Sequence, residues 1–264
     1  MKAKTRWQGF FIALLIIPFI RVSLIYADDG QWQRESAYLL TPGRLEKGIF
    51  QPLTYGFSSR LEITTYLLSN FVLPNVTLKC AHRDWFGWKL ATVHAVAYPT
   101  PLLRLIAREG IGGIISPEFE IPRMLSLCNG LIISRRYGEQ LISFKASLNL
   151  GLRCEKLDER TTIDLPLAYP RLMPFYHGYG LRTGFDYRRQ VNRTLDVILD
   201  SDVFIFPGSD DGFGWESKCL LQWHPSPRNQ FSFGYKLVYG EYPFGNAWHL
   251  FIPIFDYQHA WQLK

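Results

Sequence analysis

Apolar and polar residues alternate strictly near the end of the chain, in the stretch NQFSFGYKLVYGEYPF (229–244). From Phe231 to Tyr239 every second residue is aromatic or leucine, and the residues between are small or polar apart from one valine. Because successive side chains of a β-strand point to opposite faces, this pattern predicts a strand with one apolar and one polar face. The same period recurs at 142–153, 175–188, 194–205 and 215–223. The pattern therefore predicts an all-β fold.

The length of these segments indicates whether the apolar face contacts lipid or a protein core. Each runs for roughly ten residues or more, whereas soluble strands cluster at about 5 to 6 residues and a tilted membrane strand needs about 9 to 11. The polar faces hold Gly and Ser together with Arg, Lys and Asp, a mixture that fits a narrow wet lumen in which charges must pair. These features favour a membrane barrel whose apolar face contacts lipid and whose polar face lines a wet interior. A soluble exported β-sandwich is the alternative.

The predicted connections alternate between short and long. Twelve strands are predicted, near 34–40, 45–54, 60–67, 74–81, 86–97, 123–136, 140–154, 174–188, 193–205, 214–224, 229–240 and 247–258. Every second connection is tight, and the two longest, 98–122 and 155–173, both fall in the other set. Outer-membrane barrels have even strand numbers, tight periplasmic turns and long external loops. The predicted fold is therefore a closed antiparallel up-and-down transmembrane β-barrel of about 12 strands (10–12).

The evenness of that count depends on the first strand. RESAYLL (34–40) supplies it, and GIISPEFEIP (113–122) is a rival segment. With RESAYLL as the first strand, both termini lie in the periplasm and the first connection, 41–44, is external.

The beginning of the chain predicts a secretory signal peptide. Three basic residues among the first six precede an apolar run at 9–20, and Ile25 and Ala27 stand at the −3 and −1 positions of a cleavage site. An uncleaved membrane anchor is the alternative, but the apolar run is short for a bilayer span. The predicted organisation is a signal peptide at 1–27 and one outer-membrane barrel domain at 28–264.

Cleavage would remove most of the net positive charge. Four basic residues and no acidic ones lie within 1–27, which leaves 25 basic against 23 acidic residues. Because the remaining chain is nearly neutral, the sequence predicts no nucleic-acid partner.

With these features the chain resembles bacterial outer-membrane β-barrel proteins over residues 28–264. The segment LEKGIFQPLTYGFSSRLEITTYLL (45–68), with its core PLxYGxxxRLEI, also resembles the N-terminal hairpin of poorly characterised exported barrel proteins. The resemblance implies a location in the outer membrane, with outer-membrane lipids and the barrel-assembly machinery as partners. One departure is that such barrels often end on an aromatic residue, whereas Trp261 lies three residues before the end of this chain.

The charged residues on the polar faces are the candidate functional residues. Those predicted to line the lumen are Lys145, Arg153, Arg182, Asp186, Arg188, Asp196, Asp200, Asp202, Glu216, Lys218 and Lys236. Acidic and basic rows fall on neighbouring strands, which permits two interpretations. The rows could orient small polar solutes in a narrow channel, or they could neutralise one another and plug the barrel. The interior width expected for twelve strands favours the plug.

No motif for catalysis or metal binding accompanies these rows. The six histidines lie in separate segments without HxH or HExxH spacing, and Gly-x-Ser-x-Gly does not occur. The four cysteines, Cys80, Cys128, Cys154 and Cys219, lack metal-ligand spacing and are predicted to be free structural thiols. Asp210 and Asp211 are predicted to lie in an exposed turn rather than a cation site. The sequence therefore predicts no metal and no cofactor.

The predicted function follows from the barrel and its charged rows. It is that of an outer-membrane barrel with a structural or binding role, or of a narrow channel for small polar solutes. An outer-membrane lipid or peptide hydrolase with its site at the barrel rim is the alternative, which no motif in the sequence supports.

Overall fold

Twelve antiparallel strands close into a barrel in a computed structural model of the protein, which describes residues 32, 35–110, 115–163, 165–208, 212–242 and 245–263. Each strand pairs with its neighbours in sequence, and the first pairs with the last. The predicted closed up-and-down barrel is therefore confirmed. The predicted signal peptide, residues 1–27, lies outside the described residues, as do Asp210 and Asp211.

The long strands form most of the wall. The strands are β1 Arg44–Gly48, β2 Leu53–Ser58, β3 Leu61–Thr65, β4 Asn75–Ala81, β5 Lys89–Ala97, β6 Met124–Tyr137, β7 Gln140–Arg153, β8 Tyr179–Asn192, β9 Leu195–Ile205, β10 Phe213–Ser226, β11 Asn229–Tyr242 and β12 Gly245–Gln262. Two helices, α1 Thr100–Ile106 and α2 Tyr169–His177, and one 3-10 turn, Glu159–Thr161, lie in connections. None of the described helices has the length and apolar character needed to cross a membrane.

The two ends of the barrel differ in their connections. The "turn end" carries the joins 59–60, 82–88, 138–139, 193–194 and 227–228, together with the start of β1 and the finish of β12. The "loop end" carries the joins 49–52, 66–74, 98–123, 154–178 and 206–212, together with the finish of β11 and the start of β12, and both helices belong to it. The longest loops, 98–123 and 154–178, lie at one end as predicted, whereas the turn end has four two-residue joins and one join, 82–88, that is longer than the predicted turn 82–85.

The first predicted strand is wrong, although the strand number is right. Residues 35–41 form no strand and pass through the barrel interior, and the predicted strand 45–54 is divided into β1 and β2 by a turn at 49–52. Pro52 explains the division, because proline cannot donate a ladder hydrogen bond in mid-sheet. The predicted external connection 41–44 consequently lies at the turn end. The rival segment 113–122, described from residue 115, is a loop.

A second correction concerns the predicted strand 174–188. Its first residues belong to α2, and β8 begins only at Tyr179. Pro170 stands in the first turn of α2, where its fixed backbone angle suits a helix start.

The distribution of side chains is inverted relative to a protein with an apolar core. Large apolar side chains such as Phe144, Leu148 and Phe185 are exposed on the outer surface of neighbouring strands. Carboxylates, ammonium groups and amides fill the interior, where Glu46, Asp202, Glu216 and Gln230 are all buried. The alternation in the sequence thus separates an apolar outer surface from a charged interior.

The wall is low on one side. β1, β2 and β3 contain five, six and five residues, whereas β6, β7, β8, β10 and β11 contain fourteen each. β12 pairs with β1 only over Gln258–Gln262, although it begins at Gly245. The loop-end half of β12 therefore has β11 on one side and no strand of the described residues on the other.

Candidate functional site in the barrel interior

Lys145 of β7 is the centre of a network of buried charges. Its ammonium group lies 3.1 Å from Asp186, 3.1 Å from Asp200 and 3.2 Å from Asp202. These carboxylates come from β8 and β9, and all four side chains are at most 10% exposed. A fourth carboxylate, that of Glu35, approaches Lys145 to 3.4 Å from the chain that precedes the barrel.

Two further cations complete this network. Lys218 Nζ lies 2.7 Å from Asp200 Oδ2, and Arg182 donates to Asp202. Arg182 Nε is nevertheless buried without a hydrogen-bond partner among the described residues. Six of the residues predicted to line the lumen, Lys145, Arg182, Asp186, Asp200, Asp202 and Lys218, are thus brought together here.

A separate charged group lies towards the turn end. Arg188 Nε donates to Asp196 Oδ2 at 2.9 Å, and His224 Nε2 lies 2.9 Å from the same oxygen. Arg188 also donates to the carbonyl of Trp32, whose ring lies 6.4 Å from that of His224. Arg188 therefore binds the chain that precedes β1, and Asp196 holds Arg188 in place.

The remaining predicted residues hold α2 at the loop end. Glu216 accepts a bidentate pair from Arg171 of α2 at 2.7 and 3.0 Å, and Lys236 lies 2.6 Å from the same carboxylate. Arg153 donates to the carbonyl of Phe175, and a Cβ on Gly151 would lie 2.3 Å from the Pro174 carbonyl oxygen. The missing side chain at Gly151 is what allows α2 to approach the wall.

An apolar cluster closes the mouth above α2. Leu103 of α1 and Phe175 of α2 belong to one buried cluster with Ile121, Met124 and Ile163. A second cluster joins α2 to the wall, and its members are Tyr169, Met173, Phe204, Phe206 and Tyr242. The two helices therefore form a packed cap on the loop end.

The chain before β1 enters the interior at the turn end, and residues 35–43 are called the N-terminal segment here. Its backbone is bound by side chains of the wall. The Leu40 N–H donates to Glu62 at 2.9 Å, and the Ala37 N–H donates to Ser134 at 2.8 Å. Lys79 donates to the carbonyl of Tyr38 at 3.0 Å.

Two of these contacts involve the motif PLxYGxxxRLEI. Gly56 of the motif lies so close to the N-terminal segment that a Cβ would be 2.3 Å from the Thr41 carbonyl oxygen. Glu62 of the motif accepts from Leu40 and pairs with Lys79 at 2.9 Å. The motif forms the hairpin β2–β3, and its Gly and Glu hold the N-terminal segment in place.

Several of these residues were not predicted from the sequence. Glu35 fell within a predicted strand, Arg171 within a predicted loop, and Glu62 and Lys79 on strands too short for a clear row of charges. The only sequence signal for Glu62 and Gly56 was their place in the motif.

Glu35 titrates outside its ordinary range. Lys145 lowers the pKa of the Glu35 carboxyl well below its usual value, burial within the barrel opposes this effect, and Lys218 and Arg182 reinforce it. Half of the Glu35 side-chain surface is still open to internal space. Glu35 is therefore charged at neutral pH and pairs with Lys145.

A cavity of about 210 Å³, called the chamber below, lies between the N-terminal segment and the wall and is lined by both polar and apolar side chains. On the side of β2, β3 and β4 it is lined by Gln51, Thr54, Thr64, Tyr66 and Thr77. Its far side is lined by Cys128, Lys145, Ser147 and Arg182. A second cavity, of about 310 Å³, opens at the turn end around Arg188, Asp196 and His224.

The described residues offer no site for a metal ion. No group of three or more His, Cys, Asp or Glu side chains with suitable geometry occurs among them. His94 contacts Asn129, His259 contacts Asn229, and His224 contacts Asp196, so these histidines lie apart. The four cysteines are free.

Comparison with known proteins gives no match, either to a protein-family model or to the sequence of a curated protein. The resemblance of residues 45–68 to exported barrel proteins therefore stays a prediction.

Proposed function

We propose that this protein spans a bacterial outer membrane as a twelve-stranded barrel that is closed from within by its own chain. Its role is then structural or ligand-binding, and it is not an open pore. The signal peptide would direct export, and the barrel-assembly machinery and outer-membrane lipids would be its partners. The observation that carries the proposal is the network around Lys145, which joins the N-terminal segment to three strands of the wall.

The outer surface supports a membrane environment. Aromatic rings on adjacent strands contact one another outside the barrel, with Trp223 5.4 Å from Phe231 and Phe231 5.0 Å from Tyr257 between ring centroids. In water, each exposed Å² of such a surface would cost about 25 cal/mol, and large contiguous apolar patches are rare on soluble monomers. Lipid removes this cost.

The strand lengths fit the thickness of a bilayer. A strand of fourteen residues spans roughly 35 Å along the barrel axis at about 3.3 Å per residue and a tilt of about 40°, enough to cross an apolar band of about 25 Å. The turn end, which also carries the start of β1 and the finish of β12, would face the periplasm. The loop end with its helical cap would then face outward.

A narrow channel for small polar solutes is the second candidate function. The chamber and the cavity at the turn end both have charged side chains in their linings. The chain that precedes β1 contributes to each of them, Glu35 to the first and Trp32 to the second. Displacement of that segment would leave a lumen lined with charged residues of both signs. Such a path suits small polar solutes.

Two measurements test these proposals. Expressed with its leader in a bacterium that has an outer membrane, the protein should be recovered with that membrane, and its gel mobility in dodecyl sulfate should change on heating. A soluble β-sandwich would be recovered from the periplasm and show no such change. In planar bilayers the closed barrel should show no steady conductance, whereas steady conductance of the unmodified protein would favour the channel.

A further inference from the structure

The low part of the wall leaves a lateral gap. Strands of five or six residues span only roughly 12–15 Å of an apolar band of about 25 Å, at about 3.3 Å per residue and a tilt of about 40°. β12 rises beside them for eighteen residues. If the protein spans the outer membrane as proposed, the gap above β1–β3 opens towards the outer leaflet.

The edge of β12 borders this gap. Its last hydrogen bonds towards β1 are those that Tyr257 and Asp256 accept from Ile49 and Phe50. Pro253 lies farther along the edge, at the irregular step of the β11–β12 ladder, and proline is confined to edge strands and bulges. Unpaired strand edges are tolerated at membrane depth only where they face water or polar groups. The gap therefore has to contain water or polar groups that contact the unpaired edge of β12.

The chamber lies behind the short strands β2 and β3, next to the gap. Its lining includes Gln51, Thr54 and Thr64, which belong to the short strands or the turn between them, and Tyr66, which follows β3. Across the chamber, the Arg182 side chain belongs to the lining, and one of its terminal nitrogens donates to Asp202. An oxygen-rich group that enters from the gap would meet hydroxyl groups, the Gln51 amide and this guanidinium group.

Charges of both signs surround the chamber. Lys79, Lys145 and Arg182 line it together with Glu35 and Glu62, and behind the lining Asp186 and Asp200 pair with Lys145 while Asp202 pairs with Arg182. A zwitterionic head group can pair with charges of both signs, whereas a head group of one sign would also meet charges of its own sign. The volume of about 210 Å³ equals that of about seven water molecules at about 30 Å³ each, which suits a small head group.

Apolar side chains flank the gap on both sides. Phe50 and Leu68 lie in the joins above β1–β3, with Phe71, which is 89% exposed. Trp248 and Leu250 are exposed on β12. These side chains offer a surface for an acyl chain that leaves the chamber through the gap.

We infer that the chamber and the gap form a binding site for a phospholipid-type amphiphile with a small zwitterionic head. Its phosphate accepts from Arg182, its ammonium group lies near Glu35, and its acyl chain passes between Phe50 and Leu250 into the outer leaflet. This inference rests on the proposed membrane location, and it assigns a ligand class to the proposed binding barrel.

Cys128 provides a direct test, because its thiol lines the chamber while Cys154 lies exposed in a loop. The full protein in maltoside micelles is treated with a small thiol reagent, and the rate at each cysteine is read by peptide mass spectrometry. Lysophosphatidylethanolamine should slow the modification of Cys128 severalfold and leave Cys154 unchanged. Equal protection by phosphoethanolamine would indicate a site for a soluble solute, and equal protection by lysophosphatidylglycerol would exclude selection for a zwitterion. Either result would overturn the inference.

Two variants separate ligand binding from folding. Arg182→Gln should weaken the protection about tenfold, the loss expected for one charge-assisted hydrogen bond, whereas Arg160→Gln in the exposed join should not change it. Ser147→Phe fills the chamber without altering its charge and should abolish retention of the lysophospholipid in native mass spectra. Heat-dependent gel mobility is measured for each variant to confirm that the barrel is folded.

The outcomes distinguish this inference from the proposed function. No protection of Cys128 in a barrel that partitions with the membrane and shifts on heating would refute the lipid site and leave the membrane location intact. Loss of the membrane association itself would refute both. A Leu250→Cys variant tests whether a second copy covers the edge of β12 instead. If it formed disulfide-linked dimers in membranes and lost lipid binding, the inference would also be overturned.

Discussion

Asp186 and Asp200 face each other directly across the β8–β9 ladder, and Lys145 Nζ lies 3.1 Å from a carboxylate oxygen of each. Like charges directly opposite one another destabilise a strand pair unless a cation lies between them. Lys145 comes from β7, and Lys218 reaches Asp200 from β10 on the other side. The interior of the barrel therefore depends on cations supplied by both flanking strands.

Replacement of Lys145 should be among the most destabilising changes in the protein. Lys145→Met leaves several buried carboxylates without their shared cation, and removal of one partner of a buried ion pair costs about 3–5 kcal/mol. We expect this loss in the free energy of unfolding, measured by urea titration of the protein refolded in lipid vesicles. Lys89→Met is the matched control, because Lys89 pairs with Asp84 at an exposed site, where such a pair contributes about 0–1 kcal/mol. Equal effects of the two substitutions would show that the interior network does not stabilise the barrel.

Two adjacent residues of β4 should differ strongly in how much a new charge destabilises the barrel. Thr77 lines the chamber, whereas Leu78 is exposed on the outer surface. Leu78→Arg places a cation in the lipid and should cost about 2–4 kcal/mol of unfolding free energy. Thr77→Arg extends into the chamber, which Glu62 also lines, and should cost much less. A soluble protein would show the reverse order, so unfolding of both variants in vesicles also tests the membrane location.

The long strands were predictable because their two faces meet different environments along their whole length. From β6 to β11 the alternation continues for 11 to 14 residues, which leaves one register that keeps the charges inside. The pairs Arg182–Asp202 and Arg188–Asp196 follow from the adjacency of their strands. Such pairs could be anticipated from two neighbouring rows of opposite sign.

The N-terminal segment was not predictable in this way. Its residues resemble a strand in composition, but the backbone groups of Ala37, Tyr38 and Leu40 bond to side chains of the wall. Their partners are Ser134, Lys79 and Glu62, and the segment bonds to the backbone of β2 at its end, where the Gly43 N–H donates to the Gly56 carbonyl. Those partners are distant in sequence, so no local pattern reports them. The role of Glu35 at Lys145 and that of Arg171 at Glu216 depend in the same way on contacts across the lumen.

The close approach at Gly56 gives a way to loosen the N-terminal segment. Gly56→Ala would place a Cβ 2.3 Å from the Thr41 carbonyl oxygen, so the segment has to shift. We expect Ala37→Cys, buried in the native barrel, to react severalfold faster with a thiol reagent when Gly56→Ala is also present. Gly214→Ala is the control, because its nearest neighbours would be 3.6 Å away, an ordinary contact distance. If Gly56→Ala left the reactivity unchanged, the segment would not be held by its fit against β2.

Acid should release the N-terminal segment only at unusually low pH. Lys145 lowers the pKa of Glu35 while the segment is bound, and after release the carboxyl would return to an ordinary pKa of about 4.3. Because the bound-state pKa is the lower one, the contribution of Glu35 to binding is fully present above about pH 4.3 and is lost as the pH falls through the bound-state value. In planar bilayers the protein should therefore stay closed between pH 7 and pH 5, and openings should become frequent only below the ordinary carboxylate range. Glu35→Gln removes the charge at every pH, so this variant should open more often at pH 7 and show a smaller increase in acid. Openings of the unmodified protein that rise steeply between pH 7 and pH 5 would assign the closure to a different titrating group.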